Sequence, residues 1–156
     1  MNKSASAFNT EKLLWLNHQY IMTANPEYVA EHLQYHFDVM GIETKQGPAL
    51  VDLVKVQAER SKTLVEMAES SVYFYQDFQE FDAKAAKKNF KQAAVAPLQA
   101  LLNGYQNLQG WQKEPIHQVI LSVGEALDLK LGKVAQPLRV AVTGGGVSPS
   151  IDETLM

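Results

Sequence analysis

The sequence has 156 residues and contains no cysteine, which excludes disulfide bonds, thiolate metal sites and a cysteine nucleophile. This absence is typical of the reducing cytoplasm, where we expect the chain to act. No run approaches the roughly 20 apolar residues of a membrane span, and no signal-peptide pattern opens the chain, so we expect no membrane partner. Residues 1–8 are mostly polar and small, as in a linker, and the chain ends within an apolar-periodic segment. We therefore expect it to be part of a longer protein.

The excess of one sign of charge over the other is also small, since the net charge is only −3. The first 82 residues hold 12 acidic and 6 basic side chains, whereas residues 83–156 hold 5 acidic and 8 basic ones. The total argues against a strongly basic nucleic-acid-binding protein, but the second half retains enough lysine and arginine for a local basic face. A scatter of solvating charges explains the same numbers equally well.

Apolar residues instead recur at helical spacing through most of the chain, and strand patterns are scarce. Residues 138–142 alone show a short β-branched alternation. Asn9 or Thr10 is expected to cap the first helix, and Asn25-Pro26 predicts the start of the second, which Gly41 ends. Further helices are predicted at residues 50–57, 64–75, 83–90, 94–105, 111–127 and 133–143, and from residue 149 onward. The apolar side chains of the first helix that we expect to be buried are Leu13, Trp15, Leu16 and Tyr20.

The helical pattern breaks in the acidic and aromatic segment 76–82, where we place a boundary between two parts of the chain. The sequence thus predicts an all-α protein with a linker at residues 1–8 and two small helical-bundle subdomains, 9–82 and 83–156. The second is expected to be cut short at its C-terminus. Pro137 is expected in the first turn of its helix, where a missing N–H is tolerated.

No active site is visible in this pattern. The three glycines at 144–146 are not followed by the Gly-Lys-Ser/Thr of a phosphate loop. His32 and His36 lie one helical turn apart, but no third ligand is evident, so we predict solvent-facing histidines and no metal site. The lysines at 84, 87, 88 and 91 are read as a solvated face rather than phosphate contacts.

Binding chemistry is better supported near the C-terminus. Arg139 offers a planar guanidinium that can stack on a base or bind its edge through paired donors. The Ser148-Pro149 pair would place a hydroxyl and backbone N–H groups at a helix start, and Ile151 would add an apolar wall. Each residue also has an ordinary interpretation: a surface ion-pair partner, a helix cap and a core residue.

Two segments resemble one known family. FNTEKLLWLN at 8–17 is similar to the segment that follows the catalytic domain of bacterial glutamyl-tRNA synthetases. KLGKVAQPLRVAVTG at 130–144, continued by Ser148-Pro149, Ile151 and Leu155, resembles the C-terminal motif of that family, which is highly specific. The two matches stand in the right order at opposite ends, so the resemblance covers essentially the whole chain.

The resemblance implies the anticodon-binding region of a class I aminoacyl-tRNA synthetase, with tRNA(Glu) as partner and the catalytic domain on the same polypeptide. The full enzyme would use ATP with Mg, but the ATP-binding motifs are absent here, so the chain by itself should have no catalytic residues and no cofactor. We expect a monomer. Carried over by motif, the anticodon-binding residues are Arg139, Ser148, Pro149 and Ile151. Further loop or backbone contacts are expected from Lys133, Thr143, Gly144 and Gly145.

The chain departs from the family at one place. Some members carry an arginine on the third helix that reads the first anticodon base and separates glutamate from glutamine tRNAs, but residues 50–53 here are Leu-Val-Asp-Leu. The nearest basic residues are Lys55 and Arg60, so this discrimination is left open. The alternative function is a helical adaptor whose apolar grooves hold a partner helix.

Overall fold

Helices account for all the regular secondary structure in the part of the chain that the computed structural model describes, residues 9–156, and no strand occurs there. The all-α prediction is confirmed. The linker predicted at residues 1–8 lies outside the described residues. The chain divides into two compact units, Met1–Gln76 and Asp77–Met156.

The helices of the first unit begin and end largely where the sequence predicts. Asn9 caps the first helix through its side chain, and Asn25 caps the second with Pro26 in its first turn. Gly41 ends that second helix in the left-handed conformation, with φ of 70°, which glycine adopts without strain. The bounds are α1 Thr10–Thr23, α2 Pro26–Met40, α3 Leu50–Gln57 and α4 Leu64–Glu69.

The core of the first unit lies among α2, α3 and α4, where Leu33, Phe37 and Met67 are fully buried. The fourth helix is shorter than predicted. A polar pair, Ser70-Ser71, follows Glu69, and Ser71 turns inward to accept a hydrogen bond from the buried Gln57 at 3.0 Å. A single 3-10 turn, Val72–Phe74, replaces the predicted end of the helix.

The prediction for the buried face of α1 was wrong. Leu13 and Leu16 are about half exposed, and Trp15 and Tyr20 are 59% and 65% exposed. A different face packs on the unit, because Ile21 enters the core and His18 Nε2 donates to the carbonyl of Ala58 at 3.1 Å. Spacing at i, i+3 and i+7 defines a face but not whether the fold covers it.

The second unit is built around α7 and α8. Its core joins Leu101, Ile120, Val134 and Leu138, all of them buried. The bounds are α5 Ala83–Asn89, α6 Val95–Gln106, α7 Lys113–Ala126, α8 Leu131–Thr143 and α9 Ile151–Leu155, with a 3-10 turn at Gln92–Ala94.

The units divide after Gln76, whereas the sequence pattern placed the boundary at the end of the segment 76–82. The aromatic part of this segment belongs to the second unit. Asp82 caps α5 through its side chain, and its N–H donates to the carbonyl of Gly144 at 2.7 Å. The rings of Phe78, Phe81 and Phe90 meet edge to face at 5.0 and 5.2 Å. The sequence pattern shows where helical periodicity breaks. It does not show which of the two units residues 77–82 pack against.

Helix α8 starts earlier than predicted, at Leu131, so Pro137 lies in its interior rather than in its first turn. Proline removes one helical hydrogen bond there, the one that its N–H would donate four residues back. Residues 138–142 are helical, as predicted for 133–143, in spite of their β-branched alternation. None of the helices within residues 9–156 has the length and apolar character needed to cross a membrane.

Candidate functional site

Helix α8 carries Arg139 toward the loop that follows the helix. The Arg139 Nε donates a hydrogen bond to Ser148 Oγ at 2.8 Å, and Nη2 donates to the carbonyl of Pro149 at 3.2 Å. These two bonds orient the guanidinium plane of a half-buried arginine. The structure therefore brings together three of the residues predicted to bind, namely Arg139, Ser148 and Pro149. Their functional role stays a prediction.

Ser148 does not cap the last helix as predicted. The N-cap of α9 is Ser150, two residues later, and its hydroxyl donates to Glu153 Oε2 at 2.6 Å. The Ser148 hydroxyl lies 2.9 Å from both the Pro149 carbonyl and Thr154 Oγ1, in addition to accepting from Arg139. Ser148 thus joins α8 to α9, and the α9 backbone N–H groups are not part of this arrangement.

The loop between α8 and α9 is held from inside by Thr143 and Gly144. The Thr143 hydroxyl lies 2.8 Å from the carbonyl of Arg139 and accepts from the N–H of Gly145 at 3.2 Å. Gly144 has φ of 73°, and a side chain there would begin 2.8 Å from the ring of Phe78. Thr143 and Gly144 are buried, whereas Gly145 is half-buried, with open space where a Cβ would be. Among Thr143, Gly144 and Gly145, only Gly145 leaves open space for a ligand to approach the backbone.

Ile151 is in the core rather than on the surface, since only 6% of it is exposed and it packs with the buried residues of α7 and α8. The ordinary interpretation describes its position, and the expected apolar wall is not formed by this side chain. Pro149 is buried as well, and its carbonyl is the group that takes part in the arginine contact.

Two contacts from α7 and its preceding residues anchor α9. Trp111 Nε1 donates to the carbonyl of Leu155, and Lys113 Nζ lies 2.7 Å from Glu153 Oε1. The hydrogen bond from Lys113 lowers the pKa of Glu153 below its usual range, with a further contribution from Ser150, and the same bond raises the pKa of Lys113. The helix that follows the loop is therefore held at its middle residue, Glu153, and at its last residue, Leu155.

Sequence reasoning missed Val147. This side chain is 83% exposed in the α8–α9 loop, directly before Ser148. It is the apolar group that the loop presents to solvent, in contrast to the buried Ile151. Its neighbour Ser148 was identified through a motif, whereas an isolated valine between glycine and serine carries no periodic signal.

Lys133 does not join the Arg139 group. It lies six residues earlier on α8, about 9 Å along the helix axis at ~1.5 Å per residue. There it lines a cavity together with Lys88 and Lys91.

The start of α3, where residues 50–53 contain no arginine, has two basic side chains nearby along the chain. Lys55, the nearest cation, donates to Asp52 Oδ1 at 2.9 Å, and this bond raises its pKa. Arg60 lines an open polar cleft with Lys62, Glu66 and Glu69. Neither arrangement assigns a reader for that base.

His32 is exposed and its ring lies tilted against that of Tyr28, with ring centroids 4.3 Å apart, while His36 is half-buried beside Tyr35. Within residues 9–156, no group of three histidine or acidic side chains is placed to hold a metal ion.

Comparison with known families identifies the class of protein to which this helical fold and the α8–α9 loop belong. Residues 27–156 match the model of the anticodon binding domain. The match covers most of the chain, and the chain belongs to the anticodon binding domain family.

Solved structures with the same fold include a glutamate tRNA ligase from Elizabethkingia meningosepticum, crystallised in complex with its amino acid. It shares 24% identity and a TM-score of 0.85 over 100% of this chain. The glutamate-tRNA synthetase of Elizabethkingia anophelis gives 24% identity and a TM-score of 0.79 over 98% of this chain. In both cases the chain spans 30% of the length of the solved protein.

Proposed function

We propose that this chain is the anticodon-binding region of a glutamyl-tRNA synthetase. It holds tRNA(Glu) by the anticodon loop, so that the acceptor end reaches a catalytic domain elsewhere on the same polypeptide. That catalytic domain performs the ATP- and Mg-dependent glutamylation in the cytoplasm, and no residue of this chain takes part in the chemistry. The observation that carries the proposal is the family match over residues 27–156, which includes the Arg139–Ser148 contact.

The Arg139 group suits unpaired bases for a physical reason. Anticodon bases can be splayed outward, stacked on planar groups and read along their edges. A guanidinium fixed by Ser148 and Pro149 is such a planar group, and fixing it beforehand reduces the entropy lost on binding. Val147 and Gly145 complete the surface, the first as an apolar contact and the second as a place where RNA can approach the backbone.

One observation favours the alternative of a protein-binding adaptor. An open cleft of about 590 Å³ lies between α6 and α7 and is lined mainly by apolar groups, among them Leu108, Val119, Val123 and Leu127. A partner helix could lie in such a cleft. Binding there would be nearly insensitive to salt, whereas RNA binding falls steeply as salt rises because counterions are released from phosphates.

The test is fluorescence anisotropy with a labelled anticodon stem-loop of tRNA(Glu), beside a loop with the second and third anticodon bases changed, at two salt concentrations. We expect tighter binding of the unchanged loop and weaker binding of both at higher salt. Equal, salt-sensitive binding of the two loops would reduce the role to nonspecific RNA contact. If the chain binds a partner protein with an affinity that does not change with salt, and binds neither stem-loop, the adaptor is favoured.

A further inference from the structure

Three lysines from separate parts of the second unit surround one small cavity. Lys88 lies in the last turn of α5, Lys91 follows that helix, and Lys133 lies in the first turn of α8. The cavity has a volume of about 110 Å³, and Asn89, Gly132 and Pro137 also line it. We call it the lysine cavity.

The lysine cavity gathers three lysines that form no ion pair within the described residues. Across residues 9–156, no carboxylate oxygen lies within 4.0 Å of the ammonium group of any of the three lysines. By contrast, Lys55 and Lys113 are both paired with carboxylates. Three lysines that line one small cavity make its surroundings positive, and a positive surrounding favours an anion there.

The first turn of α8 adds to the same field. Gly132 and Lys133 line the cavity, so the positive end of a 13-residue helix lies beside the lysines. Apart from its chain neighbours and the backbone of its own helix, no atom lies within 4 Å of the Cβ position of Gly132, which leaves room for a ligand to approach. The volume corresponds to roughly three or four water molecules at ~30 Å³ each, which is room for one phosphate group.

The structure divides a lysine row that looks uniform in the sequence. Lys84 and Lys87 are exposed on α5 but do not line the cavity, whereas Lys88 and Lys91 do. A solvated face would give all four lysines the same role. A specific anion site gives the second pair a role that the first pair lacks.

We propose that the lysine cavity binds a phosphodiester group of the bound RNA, as a positioning contact about 9 Å along α8 from Arg139. This inference rests on the proposed function, because it takes the RNA to be the source of the phosphate. The contact supplies affinity that is independent of base identity, whereas the Arg139 group supplies the preference for particular bases.

The test compares two doubly substituted variants of the 156-residue chain that have the same change in net charge. The cavity variant is Lys88→Gln with Lys133→Gln, and the matched control is Lys84→Gln with Lys87→Gln. Binding of the tRNA(Glu) stem-loop is measured by anisotropy across a salt series, and circular dichroism confirms the fold of each variant. For the cavity variant we expect the slope of log affinity against log salt to become shallower by about 1 per lysine. The loss of affinity between about 50 and about 200 mM salt then becomes roughly 16-fold smaller, and the preference between the two loops is unchanged.

Equal slope changes in the two variants would overturn the site in favour of a diffuse basic face. An unchanged slope in the cavity variant, with base preference retained, would overturn the cavity while leaving the anticodon-binding role intact. If the unaltered chain shows no preference between the two stem-loops, that result would instead contradict the proposed function.

A second measurement uses inorganic phosphate as the probe. Amide NMR shifts of residues 131–133 are followed during phosphate addition at constant ionic strength, in the unaltered chain and in the cavity variant. We expect shifts in the unaltered chain alone. Absence of shifts there would overturn phosphate binding at the cavity. Shifts without stem-loop binding would overturn RNA as the source of the phosphate.

Discussion

Arg139 on α8 donates a 2.8 Å hydrogen bond from Nε to the hydroxyl of Ser148, nine residues later in the following loop. The C-terminal motif predicts both residues as anticodon contacts, and this bond brings their side chains together. It also couples the orientation of a planar cation to the path of the loop that presents Val147.

Arg139→Ala should weaken binding of the tRNA(Glu) stem-loop by about 1–3 kcal/mol and reduce the preference over a loop with changed second and third bases, because a paired base contact is lost. The control is Arg60→Ala, which removes the other arginine of the sequence and the same charge. We expect that variant to keep the preference. Anisotropy measures both variants, and an unchanged affinity in folded Arg139→Ala would remove this residue from the site.

Val147→Ser should weaken stem-loop binding without lowering the melting temperature, since the side chain is exposed and its role is an apolar contact with RNA. The matched control is Val95→Ser at an exposed valine near the start of α6. Anisotropy and thermal unfolding are measured together. If the two serine variants bind alike, Val147 has no part in recognition.

Gly144→Ala should destabilise the fold more than Gly41→Ala. Both glycines end a helix with φ near 70°, so both substitutions incur the left-handed strain of roughly 1–2 kcal/mol. Only at Gly144 does the added Cβ also meet an aromatic ring, 2.8 Å away at Phe78, while Gly41 has open space. Urea unfolding gives the free energy of each variant, and equal losses would show that the Phe78 contact relaxes without cost.

Ile21→Ala should lower the free energy of unfolding by about 2–5 kcal/mol, the usual range for a buried isoleucine, whereas Leu16→Ala should change it by less than about 0.5 kcal/mol. The two residues lie on different faces of α1, and only Ile21 joins the core. Urea unfolding of both variants is the measurement. A large loss at Leu16 would restore the original prediction that its face is buried.

Acidification should loosen the attachment of α9 through Glu153. The bond from Lys113 holds the pKa of Glu153 below the ordinary glutamate value, so the carboxylate binds protons more weakly in the folded state than in the unfolded state. Its stabilising contribution is therefore present above the ordinary pKa and is lost as pH falls through the lowered one. Thermal unfolding of Glu153→Gln across pH 3–7 should show a smaller fall in stability at the acid end than the unaltered chain.

The control for this experiment is Glu125→Gln, an exposed residue near the end of α7. That variant is expected to follow the unaltered chain. If Glu153→Gln does so as well, the Lys113 contact makes no measurable contribution to stability.

The helical class, most helix bounds and the Arg139–Ser148–Pro149 set could be predicted from the sequence. Periodicity, asparagine caps and glycine stops are local signals, and the C-terminal motif is contiguous. Three features depend on the tertiary structure: which face of α1 is covered, the burial of Ile151 beside an exposed Val147, and the position of Lys133 at the cavity of Lys88 and Lys91 rather than beside Arg139. Burial and convergence depend on which elements pack together, and that information is spread over residues far apart in the chain.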